Sequence, residues 1–198
     1  IMLREFMLKG FLFIWLLLVW NCEDINPADN EIFDFGVVIN EINYNSLESF
    51  NPGDWVEVYN KSDEIKNLSR WQLKDDDDDH IYVLPLNIIL LPDQFIVLCK
   101  DTIKFKENFS DVENIYGNFD FGFGSNNDIV RLFDSTGSLI DIVEYSDDPP
   151  WPITADGDGP TLELKNPNLD NNLWQNWSSS YQYGTPGNVN SVYTSVED

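Results

Sequence analysis

Cations are scarce in this chain. Lysine and arginine together number 11 against 35 aspartates and glutamates in 198 residues, a formal net charge of −24. Nucleic-acid affinity comes mainly from Lys and Arg displacing the counterions of phosphates, so no nucleic-acid partner is expected. Anionic lipid is disfavoured as a direct ligand for the same reason. Alanine occurs only twice, and the apolar set is Ile, Val, Leu, Phe, Tyr and Trp, which favours pleated sheet over helix. With two cysteines, Cys22 and Cys99, no disulfide framework is available and the core must hold the fold alone. The single histidine, His80, limits the chain to at most one Ser-His-Asp or Cys-His device. What is abundant is hydrophobic residue, 42% of the chain with 14% aromatic, enough to bury a sizeable core.

The N-terminal segment carries Arg4 and Lys9 ahead of an uncharged apolar run from Gly10 to Trp20. Eleven residues at ~1.5 Å each do not cross a hydrocarbon layer of roughly 30 Å. A short apolar run behind a few positive charges has the form of a secretory signal, expected over 1–21. Cys22 follows at once, and Leu18-Val19-Trp20-Asn21-Cys22 resembles a bacterial lipoprotein signal, in which the cysteine is lipidated and becomes the mature N-terminus. Trp20 and Asn21 stand where that pattern has small residues. Glu23 and Asp24 resemble the acidic export tags of surface-exposed lipoproteins. Plain cleavage and secretion is the alternative. Residues 22–35 are polar and acidic with one proline, as suits a tether.

From there short β-rich runs alternate with turn residues, and no helical period persists for even ten residues. The expected strands lie in VVINEIN (37–43), DWVEVY (54–59), LSRWQL (68–73), IYVL (81–84), IILL (88–91), FIVLC (95–99), IVRLF (129–133), LIDIVEY (139–145) and TLEL (161–164), with a weaker candidate over 118–123. DSTG between the seventh and eighth runs is a hairpin loop with Gly137 at its left-handed position. Eight or nine short strands imply an all-β antiparallel sandwich over 36–190. Trp174, Trp177, Tyr181 and Tyr183 near the end imply a segment that wraps back onto the sandwich, with 191–198 frayed.

Six pieces in order resemble the lamin tail domain family: VVINEINYN, DWVEVYN, LSRWQLKD, LLPDQFIVL, NNDIVRLFDSTGSLIDIVEY, and NW with GTPGNVN. The closing DGDGPTLELKNPNLDNNLWQNW is most similar to bacterial members. The resemblance implies an immunoglobulin-like β-sandwich and a non-enzymatic recognition or scaffolding role. It supplies no single ligand. Lamins place this module after a long coiled coil, and the chain has neither heptads nor a basic localisation stretch. A bacterial cell-envelope or secreted protein is therefore expected, displaying or adhering to a protein or an extracellular polymer.

Candidate chemistry centres on LKDDDDDHIY (73–82). Asp75, Asp76, Asp77, Asp78 and Asp79 are candidate calcium ligands, since calcium accepts six to eight oxygens in loose geometry. Alternate aspartates of an extended run point oppositely, so at most three converge unless the loop curls. Asp156 and Asp158 in DGDG begin like an EF-hand loop, which Pro160 and Leu162 then interrupt. Neighbouring carboxylates favour imidazolium at His80, which opposes its use as a neutral base. Cys99, ending FIVLC, reads as a small buried hydrophobe rather than a nucleophile. Glu41 and Glu57 lie inside strands and need hydrogen bonds or a cation, with Arg131 or Arg70 the expected partner. Trp151 and Trp174 are candidates for stacking on sugars. A calcium- or carbohydrate-binding accessory module is the alternative function.

Overall fold

The computed structural model describes residues 34–195. The expected signal, Cys22 and most of the expected tether lie outside the described residues, as do 196–198. Twelve strands are described, more than the eight or nine expected because several are only two or three residues long. One six-stranded sheet runs in the order β12 (Trp177–Ser179), β11 (Leu162–Leu164), β1 (Val37–Asn43), β2 (Trp55–Asn60), β7 (Phe95–Cys99), β8 (Ile115–Gly117). A four-stranded sheet runs β10 (Leu139–Ser146), β9 (Asn127–Phe133), β4 (Gln72–Lys74), β5 (Tyr82–Val83), and β3 (Lys66–Asn67) pairs with β6 (Ile89–Leu90). The described pairings are antiparallel except β7 with β8. The architecture is an immunoglobulin-like β-sandwich.

Both large sheets feed one core, with Ile39, Val56 and Leu98 from one and Leu73, Val130 and Val143 from the other. The β9–β10 hairpin closes as DSTG implies: Gly137 has φ +86° and Asp134 accepts the N–H groups of Thr136 and Ser138. Residues 118–123 differ from the expected strand. Phe119, Phe121 and Phe123 are buried with the period of an extended chain, yet they have no ladder, and the neighbouring strand is Ile115–Gly117. Asn118, at φ +68°, turns the chain away from the ladder.

Strand β1 is buried along its whole length although its sequence mixes apolar and polar residues. A bulge between Ile39 and Glu41 re-phases it. Ile39 and Ile42, three residues apart, both enter the core, while Glu41 is on the opposite face beside Glu57 and Glu163. That outer face is covered twice. Helix α1 (Thr102–Asn108), N-capped by Asp101, lays Phe105 on Trp55, Val97 and Cys99. The C-terminal segment covers the rest, and the chain from Ser191 to Thr194 is pinned there instead of fraying. Val192 N–H and Ser191 Oγ bond Glu163, and Thr194 N–H bonds the carbonyl of Lys165.

The four C-terminal rings divide. Trp177 is buried, with Nε1 donating to the carbonyl of Asn171 at 2.8 Å. Tyr183 stacks on Phe50 with centroids 4.0 Å apart. Trp174 and Tyr181 are exposed.

Candidate functional site

The aspartate run connects β4 to β5 and curls. Asp75 is only 2% exposed. Its Oδ1 accepts the N–H of Asp77 at 2.9 Å and its Oδ2 meets His80 Nδ1 at 2.7 Å. Asp77 accepts the N–H of Asp79, and Asp76 donates its own N–H to Asp128 of β9 at 3.1 Å. Arg131 clamps the loop from below, with Nε on the carbonyl of Asp75 at 2.7 Å and Nη1 on Asp78 at 2.8 Å. The cation expected beside Glu41 and Glu57 is thus used elsewhere, and Arg70 is exposed. Those two glutamates are satisfied by backbone N–H, hydroxyl and amide donors instead.

The contact with Asp75 favours the imidazolium form of His80. Its pKa is raised, first by the hydrogen bond to Asp75 and then by the charges of Asp75, Asp77 and Asp120. Its ring lies flat against Phe121, 5.3 Å between centroids. Burial pushes the Cys99 thiol up to about 12. A thiol so raised is not a nucleophile at pH 7, and the contact with Asp75 disfavours the neutral form of His80.

Asp75, Asp76 and Asp128 can bring one carboxylate oxygen each within 4.8 Å of one another. Part of their capacity is already engaged: Asp128 accepts the N–H groups of Asp76, Ile129 and Gly124, and Asp75 meets Asp77 N–H and His80. Asp77, Asp78 and Asp79 do not join that trio. Asp156 accepts the side-chain amide of Asn45 at 2.6 Å, and neither it nor Asp158 joins a group of three ligand side chains among the described residues.

Beside this loop lies a groove of about 510 Å³ whose floor is the outer face of β9 and β10. Asn127, Ile129, Glu144 and Ser146 project there because the residues between them, Asp128, Val130 and Tyr145, point into the sandwich. Trp151 and Trp174 line it, together with Asp76 and Asn172. The turn that follows β10 places Trp151, whose N–H bonds the carbonyl of Asp148. Its ring packs on Trp177, 6.2 Å between centroids, so its position is fixed by the core. Trp174 opens a short 3-10 turn and is 42% exposed.

The structure therefore unites Trp151, Trp174 and Asp76, which the sequence offers as two unrelated candidates. Asn127, Glu144 and Asn172 carry no signal of their own in the sequence. Asp128 has a weak one, a charged residue at an inward position of the strand NDIVRLF. Indole faces flanked by carboxylate, amide and hydroxyl groups offer stacking surface with both donors and acceptors.

The family model described as Lamin Tail Domain matches residues 35–147. The match spans more than half of the chain, including β1 to β10 and the aspartate loop, and stops before Trp151 and Trp174. A search of curated proteins gives no match.

Proposed function

The chain belongs to the lamin tail domain family, immunoglobulin-like and generally non-enzymatic interaction modules, and from that premise we propose that it holds a neutral glycan at the cell envelope or outside the cell. The carrying observation is the groove in which Trp151 and Trp174 stand beside Asp76, Asn127, Glu144 and Asn172. Sugar hydroxyls both donate and accept, and the groove offers both through its amides and carboxylates. A lysine or arginine side chain, by contrast, uses only the acceptors. The net charge of −24 disfavours anionic polymers.

The module displays its groove without catalysing a reaction on the ligand. The binding state of His80 and the burial of Cys99 support that reading. Export and anchoring are assigned to the N-terminal segment, with Cys22 as the lipidated residue on the strength of the sequence LLVWNC. Metabolic palmitate labelling that is lost in Cys22→Ser tests the anchor.

Binding to immobilised neutral polysaccharides, compared between the wild type and Trp174→Ala, tests the groove. Loss of one stacking ring should weaken binding by roughly tenfold, on the order of 1.4 kcal/mol. Retention on basic polypeptide alone, abolished by salt and indifferent to Trp174→Ala, would replace the glycan reading with an electrostatic protein contact.

A further inference from the structure

The large sheet has a step at its β7 edge. Strand β7 pairs with β2 along its whole length, Phe95 to Cys99, whereas β8 meets it only from Val97 onward. Where that ladder runs out lies a groove of about 750 Å³, within the roughly 300–1,000 Å³ typical of ligand pockets. It shares no lining residue with the groove of Trp151 and Trp174.

Its apolar surface comes from Ile89, Phe95, Val112 and Pro186. Ile89 of β6 is 48% exposed. The walls are tied in place. The carbonyl of Asn114 accepts the N–H of Val97 at 2.9 Å, and its side-chain amide donates to the carbonyl of Phe95 at 2.6 Å. Gly187 N–H bonds the buried Glu57. With the Phe95 carbonyl and the Val97 N–H both taken, the edge does not offer a regular ladder to an added strand, and recognition falls to side chains.

The charges are all of one sign. Asp93, Asp111 and Glu113 line the groove, and among the described residues no Lys, Arg or His does. Asp93 is set from two directions: its N–H donates to the carbonyl of Asn60 at 3.0 Å, and its Oδ1 accepts the Tyr59 hydroxyl at 2.8 Å. Its backbone is left-handed, φ +59°, a conformation that aspartate and asparagine tolerate. Asp111 accepts the hydroxyl of its neighbour Ser110 at 3.1 Å. Lys106 Nζ stands 3.7 Å from Glu113, whose side chain is 89% exposed, and so open a pair offsets little.

The three carboxylates do not converge. None joins a group of three ligand atoms within 4.8 Å of one another among the described residues. Spread along an apolar surface, they suit separate ammonium or guanidinium heads whose aliphatic stems lie on that surface, rather than one metal ion. A second copy of this chain, like any anionic polymer, is repelled by the net charge of −24. We propose that this groove docks a basic, extended polypeptide segment of a partner protein. Its lysines or arginines pair with Asp93, Asp111 and Glu113, and its apolar residues rest on Phe95 and Ile89.

Fluorescence anisotropy with the full chain and a short labelled peptide of alternating lysine and valine tests the dock. The peptide should bind, bind less as salt rises, and not bind when glutamate replaces its lysines. Asp93→Asn keeps the acceptor for Tyr59 and suits the left-handed backbone, while Asp111→Asn with Glu113→Gln alters only exposed side chains. Each carboxylate removed should weaken binding by roughly twofold to fivefold. Glu48→Gln with Asp79→Asn removes two exposed charges that do not line the groove and should leave binding nearly unchanged. Trp174→Ala should leave it unchanged too, so this dock and the glycan groove stand or fall separately. An equal loss in the Glu48/Asp79 variant would reduce the contact to attraction by net charge and overturn the proposal. So would spermidine that displaces the label as effectively as unlabelled peptide, or a wild type that fails to bind at about millimolar peptide.

Discussion

Asp75 and His80 meet at 2.7 Å, carboxylate Oδ2 to imidazole Nδ1, at the two ends of the aspartate run. The contact staples a five-residue loop whose remaining carboxylates face solvent. With Arg131 beneath it and the N–H of Asp76 on Asp128, hydrogen bonds tie the loop to the strand below.

That pairing predicts the titration of His80. Its folded pKa lies above the ordinary 6.5 because Asp75 accepts its hydrogen bond and adds its charge. The contact's contribution is complete below about 6.5 and lost as pH rises through the folded value. An NMR titration of the imidazole checks this, and Asp75→Asn should return the pKa toward 6.5. A wild-type value at or below 6.5 would refute the pairing.

Calcium should leave the protein indifferent. Within the trio Asp75, Asp76 and Asp128, Asp76 has no bond to its carboxylate among the described residues, and calcium asks for six to eight oxygens. An extracellular site with a dissociation constant of roughly 10⁻⁴–10⁻³ M would raise the unfolding midpoint by several degrees at about 10 mM calcium. The midpoint is expected to agree between calcium and EDTA to within about a degree. A rise that Asp76→Asn removes would establish the site.

The parts of the fold that were legible are those with local rules. Short β-rich runs bounded by turn residues, such as LIDIVEY and FIVLC, and DSTG with its left-handed Gly137, name their strands and their hairpin without tertiary context. The bulge in VVINEIN has no such mark, yet it decides that Glu41 leaves the core for the opposite face. The backbone donors for Glu41 and Glu57 come from Thr185 and Gly187, more than a hundred residues away, so charge matching pointed to Arg131 instead. The groove was half legible: large aromatic and acidic residues announce themselves, but their convergence depends on where the turn after β10 and the 3-10 turn at Trp174 deliver them.

Cys99 should be unreactive in the native state. It is buried beneath α1 beside Trp55 and Phe105, and its thiol is pushed up to about 12. The thiolate is the reacting species, so alkylation requires opening of this cluster. Mass-spectrometric labelling of the Cys99 peptide should be slow in buffer and rapid in denaturant. Fast labelling under native conditions would mean that α1 does not seal the outer face.

Trp174 and Trp177 are three residues apart and should respond oppositely to alanine. Trp177 is 2% exposed, packs against Trp151 and donates to Asn171. Its removal leaves a cavity and an unpaired carbonyl, a loss of about 3–5 kcal/mol that should lower the unfolding midpoint by roughly ten degrees. Trp174 stands in the groove without such burial, so Trp174→Ala should change stability by no more than about 0.5 kcal/mol. Glycan retention should reverse the order when both are assayed at a temperature where both are folded. Trp174→Ala loses retention while melting like the wild type, whereas Trp177→Ala retains ligand until it unfolds, apart from any displacement of Trp151. If Trp174→Ala instead melts early and binds normally, the ring is packing rather than platform, and the groove loses the feature that recommended it.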